Sequence, residues 1–167
     1  GYIWLTKPQP ASKPRTVGGK FRQTLKNIDK KMANTFYSYL AFIQPTSDAD
    51  INILKMNLEK FYSNQKSETQ PEISLVDDKV TLTFNGEYNF FICLSNDEHI
   101  IDEAKEFAQD TKLDWAEEPF DREKLIISNK RFEIWGDDDY DMDYFNDSLF
   151  IIEEIEKFSD IIIFYLN

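Results

Sequence analysis

The hydrophobic and polar positions of this chain form patterns that predict a series of strands and helices after residue 35. Residues 36–43 are rich in aromatic and aliphatic side chains, which favours a β-strand. Ser47 followed by Asp50 is a helix-start signal, and apolar residues then recur every three or four positions. This spacing predicts an amphipathic helix that ends near Asn64. Its apolar positions are Ile51, Leu54, Leu58 and Phe61.

Three strands are predicted after this helix. Residues 73–76 form a short apolar run, and residues 80–84 alternate between apolar side chains and threonine. Asn85-Gly86 then gives the strongest hairpin signal in the chain, because both residue types accept a positive φ. The returning strand, residues 88–94, is apolar on both faces, which is typical of a central strand.

The second half of the chain alternates between helical and strand patterns. Residues 95–98, starting at Ser95 and ending at Glu98, fit a capping box before a helix. Residues 114–121 form an acidic connection. Two apolar runs, 125–127 and 132–135, then predict a second hairpin. The apolar positions of the helix after the capping box are Ile100, Ile101, Ala104, Phe107 and Ala108.

A third helix and a closing strand complete the pattern. The aspartate-rich residues 137–143 lead into helical spacing that continues to Phe158, and residues 161–165 predict a buried strand. The predicted order is β-α-β-β-β-α-β-β-α-β. This order predicts an α+β domain in which three helices pack on one face of a mostly antiparallel sheet. The apolar face of the third helix is Phe145, Leu149, Ile152, Ile155 and Phe158.

Charge divides the chain into two parts. Residues 1–31 hold eight lysines and arginines and one aspartate, which gives them a net charge of +7. Because the whole chain carries −12, residues 32–167 carry −19. We interpret residues 1–31 as a basic arm containing prolines and glycines, and residues 32–167 as a single acidic domain. Three origins for the arm remain open: a leader, a native basic tail, or a segment of a partner protein joined to the domain.

Composition narrows the class of protein. The single cysteine, Cys93, excludes an intramolecular disulfide, and the single histidine, His99, excludes sites that need two histidines. We expect no membrane association, because no apolar run reaches the ~20 residues of a membrane span. The N-terminus does not fit a signal peptide, and we expect a cytoplasmic protein.

Acidic side chains concentrate in residues 114–147, where twelve aspartates and glutamates face four lysines and arginines. Such a segment is either a solvated face or a surface that attracts a basic partner. Tryptophan and tyrosine interleaved with the acids are typical of interface anchors. The predicted partner-binding residues are Glu117, Glu118, Asp121, Trp135, Asp137, Asp138, Asp139, Tyr140, Asp141, Asp143 and Tyr144. We expect alanine at Tyr140 or Tyr144 to weaken binding and to leave folding intact.

No catalytic or metal site is predicted. The alternating aspartates from Asp137 lack the glycine and glutamate that a calcium loop needs. Ser95 and His99 lie at helical spacing, but no carboxylate is placed to orient the imidazole. We interpret Cys93 as a small core residue. We therefore expect a protein without enzymatic activity, metal or cofactor, and its acidity disfavours direct nucleic-acid binding.

The acidic domain resembles the small immunity proteins that accompany bacterial polymorphic or contact-dependent toxins. The resemblance lies in size, charge and two stretches, residues 88–98 (YNFFICLSNDE) and 132–140 (FEIWGDDDY). It implies a cytoplasmic inhibitor that covers the basic active surface of a cognate toxin domain, often a nuclease. The basic arm departs from that pattern. The alternative is a nucleic-acid mimic from a phage or mobile element that blocks a DNA-binding host protein.

Overall fold

The computed structural model describes residues 3–4, 36–66, 70–109 and 120–166. The predicted α+β class is confirmed, with four helices among the described residues instead of three. The strands are β1 (Ile3–Trp4), β2 (Phe36–Ile43), β3 (Glu72–Val76), β4 (Lys79–Phe84), β5 (Tyr88–Ser95), β6 (Lys130–Gly136) and β7 (Ile161–Tyr165). The helices are α1 (Ile51–Asn64), α2 (Glu98–Gln109), α3 (Arg122–Ile126) and α4 (Phe145–Glu156).

The strands form one sheet in the order β1-β7-β2-β6-β5-β4-β3. All described neighbours from β7 to β3 pair antiparallel, as the sequence predicts. The two residues of β1 instead pair parallel with β7. The rest of the basic arm lies outside the described residues.

Tight turns join the strands of the β3-β4-β5 meander. Asn85 and Gly86 have φ values of +55° and +71°, which confirms the predicted hairpin. Asp77 and Asp78 also have positive φ values and turn the chain between β3 and β4. Short aspartate side chains tolerate this left-handed conformation better than bulky ones.

Helices cover both faces of the sheet, so the prediction that they share one face is wrong. The apolar faces of α1 and α4 pack on one side, which we call the α1/α4 face, against side chains such as Leu82 and Phe132. Helices α2 and α3 pack on the other side, the α2/α3 face, against Leu40, Phe42 and Phe164. Strand β2 supplies both cores because alternate side chains of a strand point to opposite faces.

The predicted strand at residues 125–127 is wrong. Residues Arg122–Ile126 form helix α3, so residues 125–127 are not the first strand of a second hairpin. The Asp121 side chain accepts hydrogen bonds from the backbone N–H groups of Glu123 and Lys124. This N-cap satisfies two donors that a helix start leaves unpaired, and it favours the helix over a strand.

Two predicted helix-start signals are displaced. Ser95 ends strand β5 and pairs with Arg131, so the predicted capping box is wrong and α2 begins only at Glu98. For α1 the N-cap is Asp50, whose side chain accepts a hydrogen bond from the N–H of Ile53. Helix α1 ends at Asn64, as predicted.

No helix among the described residues combines the length and the hydropathy that a membrane crossing requires.

Candidate functional site

An open cleft of about 730 Å³ lies where β6 ends and the chain turns toward α4. Eight of the sequence-predicted partner-binding residues line it. We call it the acidic cleft. Its walls are Glu87, Tyr88, Trp135, Gly136, Asp137, Asp138, Asp139, Tyr140, Asp141, Asp143 and Tyr144.

Asp139 holds the floor of the cleft together. It is only 6% exposed, although four other aspartates line the same cleft. Its carboxylate accepts hydrogen bonds from the Tyr37 hydroxyl at 2.6 Å, the Asp143 N–H at 3.0 Å and the Tyr144 N–H at 2.8 Å. These bonds close the turn that precedes α4. Asp139 is therefore a structural group of the site.

Asp137 ties the cleft to strand β5. One of its carboxylate oxygens accepts from the backbone N–H of Asn89 at 3.0 Å and from its side-chain amide at 2.9 Å. Its backbone carbonyl accepts a hydrogen bond from the Tyr88 hydroxyl at 2.9 Å. The segment that leaves β6 is thus fastened along its neighbour before it turns outward.

The remaining acids of the cleft face solvent. Glu87, Asp138, Asp141 and Asp143 are exposed. No hydrogen bond from a described residue to any of these four carboxylates occurs in the structure. The cleft therefore presents four outward carboxylates on a segment that two buried or half-buried carboxylates, Asp137 and Asp139, hold in place.

Aromatic rings support one wall of the cleft. Tyr88 and Tyr144 stack with centroids 4.0 Å apart and planes 8° apart. Tyr144 also packs against the core of the α1/α4 face. The alanine substitution at Tyr144 is therefore expected to cost stability, which corrects the expectation that it leaves folding intact.

Tyr140 differs from the other rings because it is 82% exposed. Its ring forms an edge-to-face pair with the Phe36 ring, with centroids 5.1 Å apart. Met142, two residues later, is 57% exposed and has a φ of +59°. Tyr140 and Met142 thus place exposed apolar surface beside the outward carboxylates. Trp135 is half-buried and stacks on Phe91, with centroids 5.3 Å apart.

A β-bulge at the start of β2 aims Tyr37 at the cleft. Tyr37 and Ser38 together stand opposite Trp135 on β6. Tyr37 has a φ of +55°, a conformation that is strained for an aromatic residue. The hydrogen bond to Asp139 and the burial of the ring hold it there.

The phenols of Tyr37 and Tyr88 stay protonated. Burial raises the pKa of Tyr37 far above its usual value, and the hydrogen bond to Asp139 raises it further. Burial also raises the pKa of Tyr88, with a smaller contribution from the charge of Asp139. Both groups therefore act as hydrogen-bond donors at physiological pH, and they support the acidic segment without titrating.

Gly136 allows the strand to approach Tyr88. A Cβ at this position would lie 2.5 Å from the Tyr88 hydroxyl and 3.1 Å from two ring atoms of Phe90. Any larger residue would displace the ring that bonds to the Asp137 carbonyl. Gly136 was not among the residues that the sequence predicted for the site. Neither were Glu87, Tyr88 and Tyr37, which become neighbours of the acidic segment only through sheet pairing.

Three predicted partner-binding residues are not brought to the cleft. Asp121 is the N-cap of α3 and does not line the cleft. Glu117 and Glu118 lie outside the described residues. Within the described residues, the acidic side chains therefore have two roles: those of residues 137–143 line the cleft, and Asp121 caps helix α3.

The candidate catalytic groups are absent from the cleft lining. Ser95 lies at the end of β5, and exposed His99 on α2 has its Nδ1 3.9 Å from an Asp97 carboxylate oxygen. Cys93 is half-buried on β5. Within the part of the chain that the structure describes, no group of three or more His, Cys, Asp or Glu side chains could hold a metal ion.

Comparison with protein-family models, with curated proteins and with solved structures finds no match.

Proposed function

We propose that this chain is a non-enzymatic binding protein that inhibits a basic protein, specifically an immunity protein that covers the cationic active surface of a cognate toxin domain. The observation that carries the proposal is the acidic cleft. Four outward carboxylates line it together with Tyr140, a ring that is 82% exposed. A nuclease surface that binds phosphates is the kind of cationic partner that such a cleft would attract.

The concentration of negative charge in the cleft supports a binding role. The acidic domain carries −19, and like charges concentrated in one cleft repel one another. That repulsion lowers stability, so a binding advantage is a better explanation for the concentration than solubility. Opposite charge on a partner would relieve the repulsion and raise the association rate.

Exposed side chains beside the carboxylates could anchor a partner. Interfaces obtain most of their affinity from a few aromatic or long side chains at their centre, surrounded by polar groups that exclude water. Tyr140 and Met142 have large exposed apolar surfaces, and Asp141 and Asp143 are their neighbours in sequence. In this proposal the carboxylates steer the toxin and Tyr140 is buried when contact is complete.

The direct test is titration of the full chain against a panel of purified cationic toxin nuclease domains, with cleavage activity as the second readout. We expect one domain to bind with 1:1 stoichiometry at both 50 and 200 mM salt and to lose activity. The triple variant Asp138→Asn, Asp141→Asn, Asp143→Asn should bind at least about tenfold more weakly, a loss of ~1.4 kcal/mol or more.

A matched control removes three charges elsewhere. Asp77, Asp78 and Asp102 are exposed and do not line the cleft, so their replacement by asparagine should leave affinity nearly unchanged. Equal loss in the two triple variants would reduce the effect to net charge and contradict a specific cleft interface. Failure of every toxin domain to bind would contradict the immunity assignment.

The proposed anchor role of Tyr140 can be tested separately. Tyr140→Ala should weaken toxin binding about tenfold or more, mainly through faster dissociation, while the free energy of unfolding changes little because the ring is exposed. Met142→Ala, compared with Met56→Ala, gives a matched pair because these methionines are 57% and 61% exposed. Unchanged affinity in Tyr140→Ala would refute the anchor role.

The same titrations separate the nucleic-acid mimic. A mimic would bind several unrelated DNA-binding proteins and lose all of them steeply as salt rises, because its affinity would come almost entirely from replaced phosphate contacts. An immunity protein would keep one partner at 200 mM salt, because buried apolar surface is not screened.

A further inference from the structure

The outer edge of strand β7 combines features that edge strands usually avoid. All five residues of β7, Ile161–Tyr165, are apolar or aromatic. The strand has no lysine, proline or inward-pointing charge, the devices that normally prevent an edge from pairing with another chain. Its residues alternate between the two cores, with Ile163 in the core of the α1/α4 face and Phe164 in that of the α2/α3 face.

This edge already accepts an extended segment. Strand β1 pairs parallel with β7, with Ile3 opposite Phe164 and Trp4 opposite Tyr165. Among the described residues, no strand lies beside the remaining part of the edge, residues 161–163. The inner edge of β7, by contrast, pairs with β2 along all five residues.

The connection between β1 and the rest of the domain is long. Residues 5–35 separate Trp4 from Phe36, the first residue of β2. Strands β1 and β2 lie on either side of β7, so they are about two strand spacings, roughly 10 Å, apart. The extended length of 31 residues is many times greater than this distance. A segment with that reach and a two-residue ladder can leave the edge without disturbing the antiparallel sheet.

We propose that the outer edge of β7 is a docking site for an extended apolar strand of a partner protein, which runs parallel to β7 and displaces β1. The chain's own Ile3–Trp4, a β-branched and an aromatic residue in register with Phe164 and Tyr165, shows the residue types that the edge accepts. Main-chain hydrogen bonds would supply affinity and the alternating side chains specificity. This inference is independent of the proposed function, because it uses neither the acidic cleft nor a basic partner.

The test uses the full chain and the hexapeptide GYIWLT, the sequence of residues 1–6, as the probe. The variant Ile3→Pro, Trp4→Pro cannot donate ladder hydrogen bonds from these residues, so β1 should leave the edge. We expect this variant to bind the peptide severalfold more tightly than the wild type, in which the tethered segment competes at a high effective concentration. The chemical shifts of the backbone amides of residues 161–165 should report binding.

Two controls carry the same number of added prolines, one in the protein outside β1 and one in the peptide. Ala11→Pro, Ser12→Pro adds two prolines to the arm but leaves β1 intact, and it should bind the peptide like the wild type. The peptide GYPPLT should not bind any variant. Equal peptide affinity for the wild type and the β1 variant, or no shift in the β7 amides at millimolar peptide, would overturn the proposal. A concentration-dependent dimer with exchanged arms would also overturn it, because a second copy would then occupy the edge.

A second measurement does not require the variant to fold. In the wild type, β7 amides that point toward β1 should exchange with solvent through local release of β1, much faster than those that point toward β2. Equal protection of the two sets would show that β1 is part of the cooperative sheet and would overturn its displacement.

Discussion

Asp138 and Asp139 are adjacent in sequence and opposite in role. Asp138 is exposed, whereas Asp139 is 6% exposed and accepts three hydrogen bonds. The sequence shows only two members of an aspartate run, because nothing in the run marks which carboxylate meets Tyr37. The β-bulge of β2 makes that choice, and it depends on strand pairing across about a hundred residues.

This contrast predicts different costs for the same substitution. Asp139→Asn replaces an acceptor of three hydrogen bonds with an amide that has one acceptor oxygen and two donors. At least one of the three donors then faces the amide NH₂ group and loses its acceptor, so the free energy of unfolding should fall by roughly 2–4 kcal/mol. Asp138→Asn should change it by less than about 0.5 kcal/mol. Urea unfolding of the two variants checks this, and similar costs would contradict the structural role of Asp139.

At the scale of the element, the start of helix α4 contains a half-buried carboxylate. Asp147 lies in the first turn of α4 and accepts a hydrogen bond from the Tyr62 hydroxyl of α1 at 2.7 Å. Burial raises the pKa of Asp147, and the Tyr62 hydrogen bond offsets only part of that rise. Burial likewise raises the pKa of Tyr62 far above its usual value, so the phenol remains the donor.

The raised pKa of Asp147 sets the sign of a pH effect. The folded protein binds a proton at Asp147 more readily than the unfolded chain, so the ionised group lowers stability at neutral pH. That cost should decrease as the pH falls through the folded pKa and vanish below the unfolded value, near 3.8. Asp147→Asn should therefore be more stable than the wild type at pH 7, and the difference should shrink toward pH 3.5.

Denaturant unfolding at the two pH values measures this difference. Asp138→Asn is the control, because its carboxylate is exposed and its effect should depend little on pH. A stability difference for Asp147→Asn that stays constant between pH 7 and pH 3.5 would contradict the assignment. Tyr62→Phe should raise the pKa of Asp147 further, since it removes the hydrogen bond that favours the charged form.

A buried ion cluster shows how the elements of the α2/α3 face are joined. Arg131 of β6 is 3% exposed and pairs with Glu133 of the same strand at 2.7 Å and with Glu103 of α2. Its guanidinium also lies over the Phe42 ring, 5.5 Å from the centroid. The cluster binds α2 to the middle of the sheet through charge and packing together.

At the scale of the whole molecule, charge opposes folding while packing supports it. The chain carries −12 overall, and the cleft gathers aspartates from a single turn. The triple variant Asp138→Asn, Asp141→Asn, Asp143→Asn should therefore be more stable than the wild type at low salt, by roughly 0.5–1 kcal/mol in total. The gain should decrease in 0.5 M salt because screening already weakens the repulsion.

Thermal or urea unfolding at low and high salt tests this balance. The control Asp77→Asn, Asp78→Asn, Asp102→Asn removes the same number of charges from outside the cleft and should gain less. A cleft variant that gains no stability at low salt would contradict the view that the cleft is maintained despite its energetic cost.

The sequence by itself determined the class of the domain and most of its elements. Period-two and period-three-to-four apolar patterns indicated β2, α1, β4, β5, α2, β6, α4 and β7, because burial of one face imposes these periods wherever the chain lies in a layer. The Asn85-Gly86 turn was equally clear, since its positive φ values depend on those two residues alone. The acidic segment was also visible from its composition.

Tertiary structure decided everything that depends on distant partners. Residues 125–127 have a strand-like composition. The Asp121 cap and the burial of Leu125 instead place residues 125 and 126 in helix α3 and Ile127 at its C-cap. Periodicity shows which positions of a helix are apolar but not which face of the sheet the helix packs against. The packing of helices on both faces therefore could not be predicted. The cleft, too, required long-range pairing, because Tyr37, Glu87 and Tyr88 reach the aspartates only when β2, β5 and β6 are neighbours.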